Sequence, residues 1–310
     1  MQILITGGAG NIGASLARLL VQDPENYVVI VDNFTTGSYE KLPDQKNKNW
    51  RFIKADVNNF EDISSIVVSG AFDYIFHYAA VVGVQRTLMN PKLVLNDIDG
   101  IKNILDLAKN TGVKRVLFSS SSEVYGEPVE IPQREATTPL NSRLPYAIVK
   151  NVGEAFCRSY QQEFGLDYTI FRLFNTYGPL QSDDFVITKF IKQAIQNKDL
   201  TIYGDGLQTR TFCFIEDNLE ATISSIKNNI WVNDVVNIGS DIEMTIVDLA
   251  KVVIDVTKSK SKIVHLPALK EGDMTRRKPE ISKMMNVLER DLTKIEDGIR
   301  LTAEFIQKKK

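Results

Sequence analysis

Gln2-Ile3-Leu4-Ile5-Thr6-Gly7-Gly8-Ala9-Gly10-Asn11-Ile12-Gly13 decides how the rest of the chain is read. Residues 2–6 form an apolar run of strand character, and 12–21 carry apolar residues at helical spacing. Between them the glycines permit a tight turn and let a ligand approach the backbone. The first helical amides, at the positive end of the helix dipole, favour an anion there. A glycine trio alone is only a turn. Between a first strand and an amphipathic helix it predicts a dinucleotide pyrophosphate site built from Gly7, Gly10, Asn11, Ile12 and Gly13. A second apolar run, Tyr27–Asp32, ends in a carboxylate about twenty residues past the glycines, where Asp32 can accept hydrogen bonds from an adenosine ribose and repel a 2′-phosphate. No basic residue lies in 31–36, so NAD is the expected cofactor rather than NADP.

Working outward, strand-like runs at 2–6, 27–32, 50–55, 73–77, 114–119 and 167–174 alternate with helical periodicity at 12–21, 63–68, 93–109 and 146–164. That rhythm predicts an α/β fold, a Rossmann-type doubly wound sheet of six parallel strands with helices on both faces. After Phe174 the pattern becomes irregular, punctuated by Pro179, Gly204, Gly206, Pro267 and Pro279. A smaller, mixed substrate-binding region is therefore expected over 178–310, following a cofactor-binding domain over 1–177. The apolar run at 234–238 reads as a strand returning to the first domain, and Thr245-Ile246-Val247-Asp248 as a capped helix start.

The chain has 310 residues, 43% of them hydrophobic and 25% charged, an ordinary globular composition. With 37 Lys+Arg against 39 Asp+Glu it has no global basic field for nucleic acid or an anionic membrane. Neither partner is expected. Cys157 and Cys213 fit no Cys-x-x-Cys pattern, and with only His77 and His265 available no metal site is expected. His77, inside an apolar run, reads as a core histidine. The amino terminus enters the first strand without a basic leader or long apolar segment, which suggests a soluble, cytoplasmic protein. The lysines at 308–310 read as the solvated end of a helix.

Tyr146 and Lys150 lie four apart on an expected helix, hence on one face, where an ammonium can lower the phenol pKa for proton exchange with a hydroxyl. The pair alone carries little weight, because 10 tyrosines and 37 basic residues among 310 give roughly one such spacing by chance. Its context is Ser119-Ser120-Ser121-Ser122-Glu123-Val124-Tyr125-Gly126, His77-Tyr78-Ala79-Ala80 and Asn96, each at the end of a strand or in the next helix. Further along stand 172–179 (RLFNTYGP), Tyr203-Gly204-Asp205-Gly206, Gln208-Thr209-Arg210 and Thr275-Arg276-Arg277-Lys278-Pro279.

In this order the motifs resemble the extended short-chain dehydrogenase/reductase family of nucleotide-sugar epimerases, dehydratases and decarboxylases, across nearly the whole chain. The resemblance implies Tyr146 as catalytic acid/base, Lys150 on the nicotinamide ribose and Ser121 on the reacting hydroxyl. It implies Asp56 and Val57 near adenine, with Ala79 and Asn96 also toward the cofactor. Ser122, Asn175, Arg210 and either Arg276 or Arg277 are implied to contact a nucleotide-sugar, UDP-linked by the same resemblance. Guanidinium forks suit its phosphates. Transient oxidation at sugar C4 and a homodimer formed by the helix after Asn90-Pro91 with the Tyr146 helix are also implied.

Glu123 stands where dehydratases and decarboxylases of the family carry a glutamate, and Ser122-Glu123 with Arg277 matches the UDP-glucuronate decarboxylases locally. Decarboxylation is the leading branch. The sequence departs from it at 81–87, which lacks a proline and tyrosine, and at Leu180, where an arginine is common. A 4-epimerase stays open because Gly83-Val84-Gln85-Arg86 resembles epimerase sugar loops. A 4,6-dehydratase stays open because Glu123 can take a C5 proton. Outside catalysis of this kind stand an NAD-responsive regulator, which the intact Ser121/Tyr146/Lys150 set opposes, and a dehydrogenase that releases NADH.

Overall fold

The computed structural model describes residues 1–267 and 276–308, with the backbone alone at 84 and 85. In chain order the elements of the first half are β1 (Gln2–Thr6), α1 (Asn11–Leu20), β2 (Tyr27–Asp32), β3 (Trp50–Lys54), α2 (Phe60–Gly70), β4 (Tyr74–His77), α3 (Val84–Met89), α4 (Pro91–Leu95), α5 (Asp97–Ala108), β5 (Arg115–Ser121), α6 (Pro145–Phe164) and β6 (Tyr168–Leu173). There follow β7 (Thr176–Tyr177), α7 (Val186–Ile195), β8 (Leu200–Tyr203), β9 (Thr209–Thr211), β10 (Cys213–Phe214), α8 (Ile215–Lys227), β11 (Asp234–Ile238), β12 (Glu243–Thr245), α9 (Ile246–Thr257), β13 (Ile263–Leu266), α10 (Ser282–Leu288) and α11 (Ile295–Lys308).

Seven strands form one sheet in the order β11-β6-β5-β4-β1-β2-β3. The expected return of 234–238 is its seventh strand. The register is parallel, with Thr6 opposite both Val31 and His77, and His77 opposite Phe118. These pairings bring the carboxyl ends of β1, β4 and β5 level. The order reverses at β1, and in open α/β sheets ligands bind outside the carboxyl ends at such a switch point. Strands β1, β2 and β5 are almost wholly buried, as strands between two helical layers must be.

The chain forms two compact units: 1–124, 142–172 and 223–236 in the first, and 125–141, 173–222 and 237–310 in the second. This division is more interleaved than one cut after 177 with a later return. The first unit's core includes Val29, Val31, Ile63, Ile75, Ile104, Val116, Phe118, Val149 and Ile170, drawn from β2, α2, β4, α5, β5, α6 and β6. In the second unit β8 pairs in parallel with β13, and β9 antiparallel with β12. The Thr245 hydroxyl caps α9 by accepting from the Asp248 N–H at 3.0 Å.

Two local features position the catalytic candidates. The helical run expected over 93–109 is interrupted at Asn96, which ends α4 and begins α5. Helix α6 begins with Pro145 in its first turn after an extended Leu144, and stops at Gly165 in the left-handed region. Proline preset for the first turn and glycine after the last fix both ends of the helix that carries Tyr146 and Lys150.

Candidate functional site

The glycine turn is built as its sequence requires. Gly7 has φ +67, and a Cβ there would meet the Ala79 backbone nitrogen at 2.5 Å; at Gly13 a Cβ would meet the Gly7 carbonyl oxygen at 2.5 Å. Helix α1 has no side-chain cap at Gly10 and no acidic residue in its first turn. Among the described residues the buried Asn11 Oδ1 has no partner. Above Gly10, among the described residues, only the Gly7 carbonyl oxygen lies near the position of an added Cβ. Free helical amides and an open glycine face fit a dinucleotide pyrophosphate.

Asp32 is buried and fastens this turn to β2, its carboxylate accepting from the Ala9 N–H at 3.0 Å and the Phe34 N–H at 2.8 Å. Burial raises its pKa, opposed by those two amides and by the Lys41 charge. At the end of β3, Asp56 accepts from Asn33 Nδ2 at 3.1 Å and from the Asn58 N–H at 2.9 Å, and Val57 is buried beside it. Ala79 donates weakly to the Thr6 hydroxyl at 3.4 Å.

Lys150 is 3% exposed. Its ammonium donates to the Ser119 hydroxyl at 3.4 Å, and Ser119 donates to the His77 carbonyl at 3.2 Å. Lys150 Nζ also lies 5.1 Å from the Phe118 ring centre and 5.7 Å from that of Tyr146. Burial pulls its pKa down to about 8, against a raising effect of the Asp97 carboxylate. His77 is the core histidine expected: its Nδ1 meets the Thr6 hydroxyl at 2.8 Å, its ring stacks on Phe118, and burial with the Lys150 charge lowers its pKa to about 3.

Strand β5 runs into a 3₁₀ turn, Ser122–Tyr125, in which the Glu123 N–H donates to the Ser121 hydroxyl at 3.2 Å. Ser121 and Ser122 are buried and Glu123 is half-buried. Ser119, Ser121, Tyr146 and Lys150 thus come from the end of β5 and the start of α6 within one unit.

Asn96 lies at the junction of α4 and α5. It is exposed, whereas the next residue, Asp97, is buried and accepts from the Val81 N–H at 2.7 Å. Sequence reasoning missed Asp97, although it lies on the buried stripe Val94, Asp97, Ile101, Ile104 and Ala108. It also missed Glu154. Tyr146, Lys150, Glu154 and Arg158 recur every four residues on α6, and Glu154 is fully buried.

In the second unit Asn175 has φ 38, and its side-chain amide donates to the Thr211 carbonyl at 2.9 Å. Arg210, on β9 opposite Met244, donates to its neighbouring Thr209 carbonyl at 2.7 Å. The structure separates the two later arginines. Arg276 is exposed and makes a two-pronged pair with Glu243, both contacts at 2.6 Å, whereas Arg277 is 5% exposed. Thr275 and the chain end at 309–310 lie outside the described residues. Both cysteines are buried and free. Among the described residues no three His, Cys, Asp or Glu side chains form a cation site.

Comparison with known proteins agrees with this architecture. The profile of the NAD dependent epimerase/dehydratase family matches residues 3–239. A UDP-N-acetyl-alpha-D-glucosaminuronate decarboxylase from Bacillus cytotoxicus is 38% identical over 91% of this chain and 89% of its own. UDP-glucuronic acid decarboxylase 6 from Arabidopsis thaliana is 35% identical over 98% and 88%. A crystal structure of the UDP-glucuronic acid 4-epimerase from Bacillus cereus, in complex with UDP-glucuronic acid and NAD, superposes with a TM-score of 0.89 at 28% identity, covering 100% of both chains.

Proposed function

Because the chain belongs to the NAD dependent epimerase/dehydratase family, we propose that it is a UDP-uronate decarboxylase that uses and regenerates NAD. The observation that carries this reading is the likeness to uronate decarboxylases over nine-tenths or more of the chain, joined to a Ser121-Ser122-Glu123 turn at the end of β5. When bound, NAD supplies a reversible electron-pair acceptor at sugar C4, and a ketone there lies β to the C6 carboxylate of a uronic acid, so that carbon dioxide can leave.

Gly7, Gly10, Asn11, Ile12 and Gly13 hold the pyrophosphate, and Asp32 the adenosine ribose. Asp56 and Val57 border the adenine, Ala79 lies toward the nicotinamide end, and Lys150 takes the nicotinamide ribose. Tyr146 moves the proton of the sugar 4-hydroxyl, whose oxygen Ser121 holds. The Lys150 ammonium favours the phenolate form of Tyr146 during that transfer. Glu123 acts at C5, where a proton must be delivered once the carboxylate has gone. Ser122 supports this turn. Asn175, Arg210 and Arg277 bind the UDP portion, while Arg276, committed to Glu243, is left out of that set.

Leu93, Leu95 and Ile148 each expose about two-fifths of their surface. Apolar faces on α4 and α6 are the reason a homodimer through these helices belongs to the reading. Among the described residues no helix is long and apolar enough to cross a membrane, and a cytoplasmic site of action is part of the proposal.

A second reading, 4-epimerisation, is favoured by the match to the UDP-glucuronic acid 4-epimerase and needs only Tyr146, Lys150 and Ser121. Glu123→Gln separates the two. It keeps the side-chain shape but removes the ionisable group, so it slows decarboxylation by about a hundredfold or more and leaves epimerisation nearly intact. Tyr146→Phe cripples both. A Glu123→Gln enzyme as fast as wild type would reject chemistry at C5.

A further inference from the structure

We propose that Glu243 is a positioning residue that fixes Arg277 relative to Arg210, the two arginines assigned above to the UDP portion, by anchoring Arg276 to the strand that carries Arg210. The inference rests on that assignment. Glu243 stands at the start of β12, with 17% of its side chain exposed. Its Oε1 accepts from Arg276 Nε at 2.6 Å and its Oε2 from Arg276 Nη2 at 2.6 Å. The same Oε1 accepts from the Thr209 hydroxyl at 3.3 Å. One carboxylate thus joins β9, β12 and the segment that begins at Arg276.

Glu243 acts on the two UDP arginines through the residues that precede them. Strands β9 and β12 are antiparallel, with Thr211 opposite Glu243 and Met244 opposite Arg210. Side chains alternate between the faces of a strand, so Thr209 and Glu243 share one face as diagonal neighbours and Arg210 belongs to the other. Arg210 donates to the Thr209 carbonyl at 2.7 Å and is braced by the residue that Glu243 holds. Arg277 follows Arg276 directly and is buried, whereas Arg276 is exposed. Beyond Arg277 the chain is held by its backbone. The Gln133 N–H donates to the Lys278 carbonyl at 2.7 Å, and the Glu280 N–H to the Gln133 carbonyl at 2.8 Å. Arg277 therefore lies on a stretch pinned on both sides, by the Glu243 fork before it and by Gln133 after it. A single exposed ion pair contributes little, but a guanidinium that meets a carboxylate through two parallel N–H bonds fixes orientation as well as distance.

UDP itself is the probe, titrated by calorimetry into the NAD-loaded enzyme. Arg277→Met binds it about tenfold or more weakly, the loss of a charge-assisted contact. Glu243→Gln keeps the side-chain shape but loses the charged fork, and binds UDP about fivefold more weakly, the upper end for a partly exposed ion pair. Arg276→Met removes the same fork from its exposed partner and gives the same loss, which covers the case in which Glu243→Gln does not fold. Wild-type UDP affinity in either variant overturns the proposal.

Action through Arg277 has a signature that general loosening of the fold does not share. In an Arg277→Met background, adding Glu243→Gln leaves UDP affinity within about twofold of Arg277→Met alone. The full loss recurring in that background overturns the proposal. The functional reading fails in a different pattern. Arg277→Met binding UDP as wild type does rejects Arg277 as a UDP ligand and the proposal with it, whereas a weakened Arg277→Met beside an unchanged Glu243→Gln overturns the proposal alone. An enzyme that shows the coupling but does not decarboxylate UDP-uronates rejects the reaction and leaves the role of Glu243 standing.

Discussion

Glu154 and Arg172 form a two-pronged ion pair at the centre of the first unit, with Arg172 Nε 2.8 Å from Glu154 Oε1 and Nη2 2.7 Å from Oε2. The two side chains are 0% and 2% exposed, and Ser120, next to the catalytic candidate Ser121, donates its hydroxyl to the same carboxylate at 2.6 Å. The pair ties α6 to β6 and to the end of β5. Tyr146 and Lys150 therefore take their register on the sheet from a group one and two helical turns further along.

Removing one member of such a pair leaves the other buried and uncompensated. Glu154→Gln is expected to cost about 3–5 kcal/mol in urea unfolding. The pH dependence has a definite sign. Burial raises the Glu154 pKa, but the Arg172 hydrogen bonds and charge outweigh it, and the net shift is downward from an ordinary value of 4.5. The unfolded chain binds this proton more readily than the folded one. The stabilisation is hence present above pH 4.5 and lost as pH falls through the folded value. Wild type should lose stability more steeply than Glu154→Gln in that acid range. Parallel slopes for the two proteins would show that the pair contributes no such linkage.

Much of this was legible in the chain. The glycine turn between β1 and α1, the strand ending at Asp32 and the Tyr146/Lys150 spacing all follow from local periodicity, which is why the sheet and the turn and helix that follow its first strand were recoverable. Asp97 was not, because a carboxylate beside Asn96 at a helix start reads as a solvated first-turn acid. Only the apolar residues spaced around it show that it faces inward. Arg276 and Arg277 were indistinguishable for a different reason. Adjacent residues project in different directions, and the partner that claims Arg276 is Glu243, 33 residues away.

In the proposed role of Asp32 at the adenosine ribose, its carboxylate, held by the Ala9 and Phe34 amides, sets the cofactor choice by opposing a 2′-phosphate. NAD is expected to bind at least about tenfold more tightly than NADP. Asp32→Ala narrows that ratio by removing ribose contacts and repulsion together. Fluorescence titration with both reduced cofactors checks it, and equal affinities in wild type would contradict the assignment.

The exposed Leu93, Leu95 and Ile148 on α4 and α6 lead to a quaternary prediction. Light scattering at micromolar concentration should give the mass of two chains. A Leu93→Glu/Ile148→Glu double variant places charges on that face and should give one chain while keeping its secondary structure. A wild-type protein already monomeric would exclude the pairing.

Mass spectrometry of the products formed from UDP-glucuronate and UDP-N-acetylglucosaminuronate, without added reductant and with NAD as the added cofactor, tests the central claim most directly. A UDP-uronate decarboxylase that regenerates NAD releases one carbon dioxide from at least one of these substrates, with a UDP-pentose or its amino-sugar counterpart as product, no net accumulation of NADH, and solvent deuterium at C5. A product of unchanged mass without solvent deuterium, formed equally fast by Glu123→Gln, would contradict decarboxylation and assign the chain to 4-epimerisation.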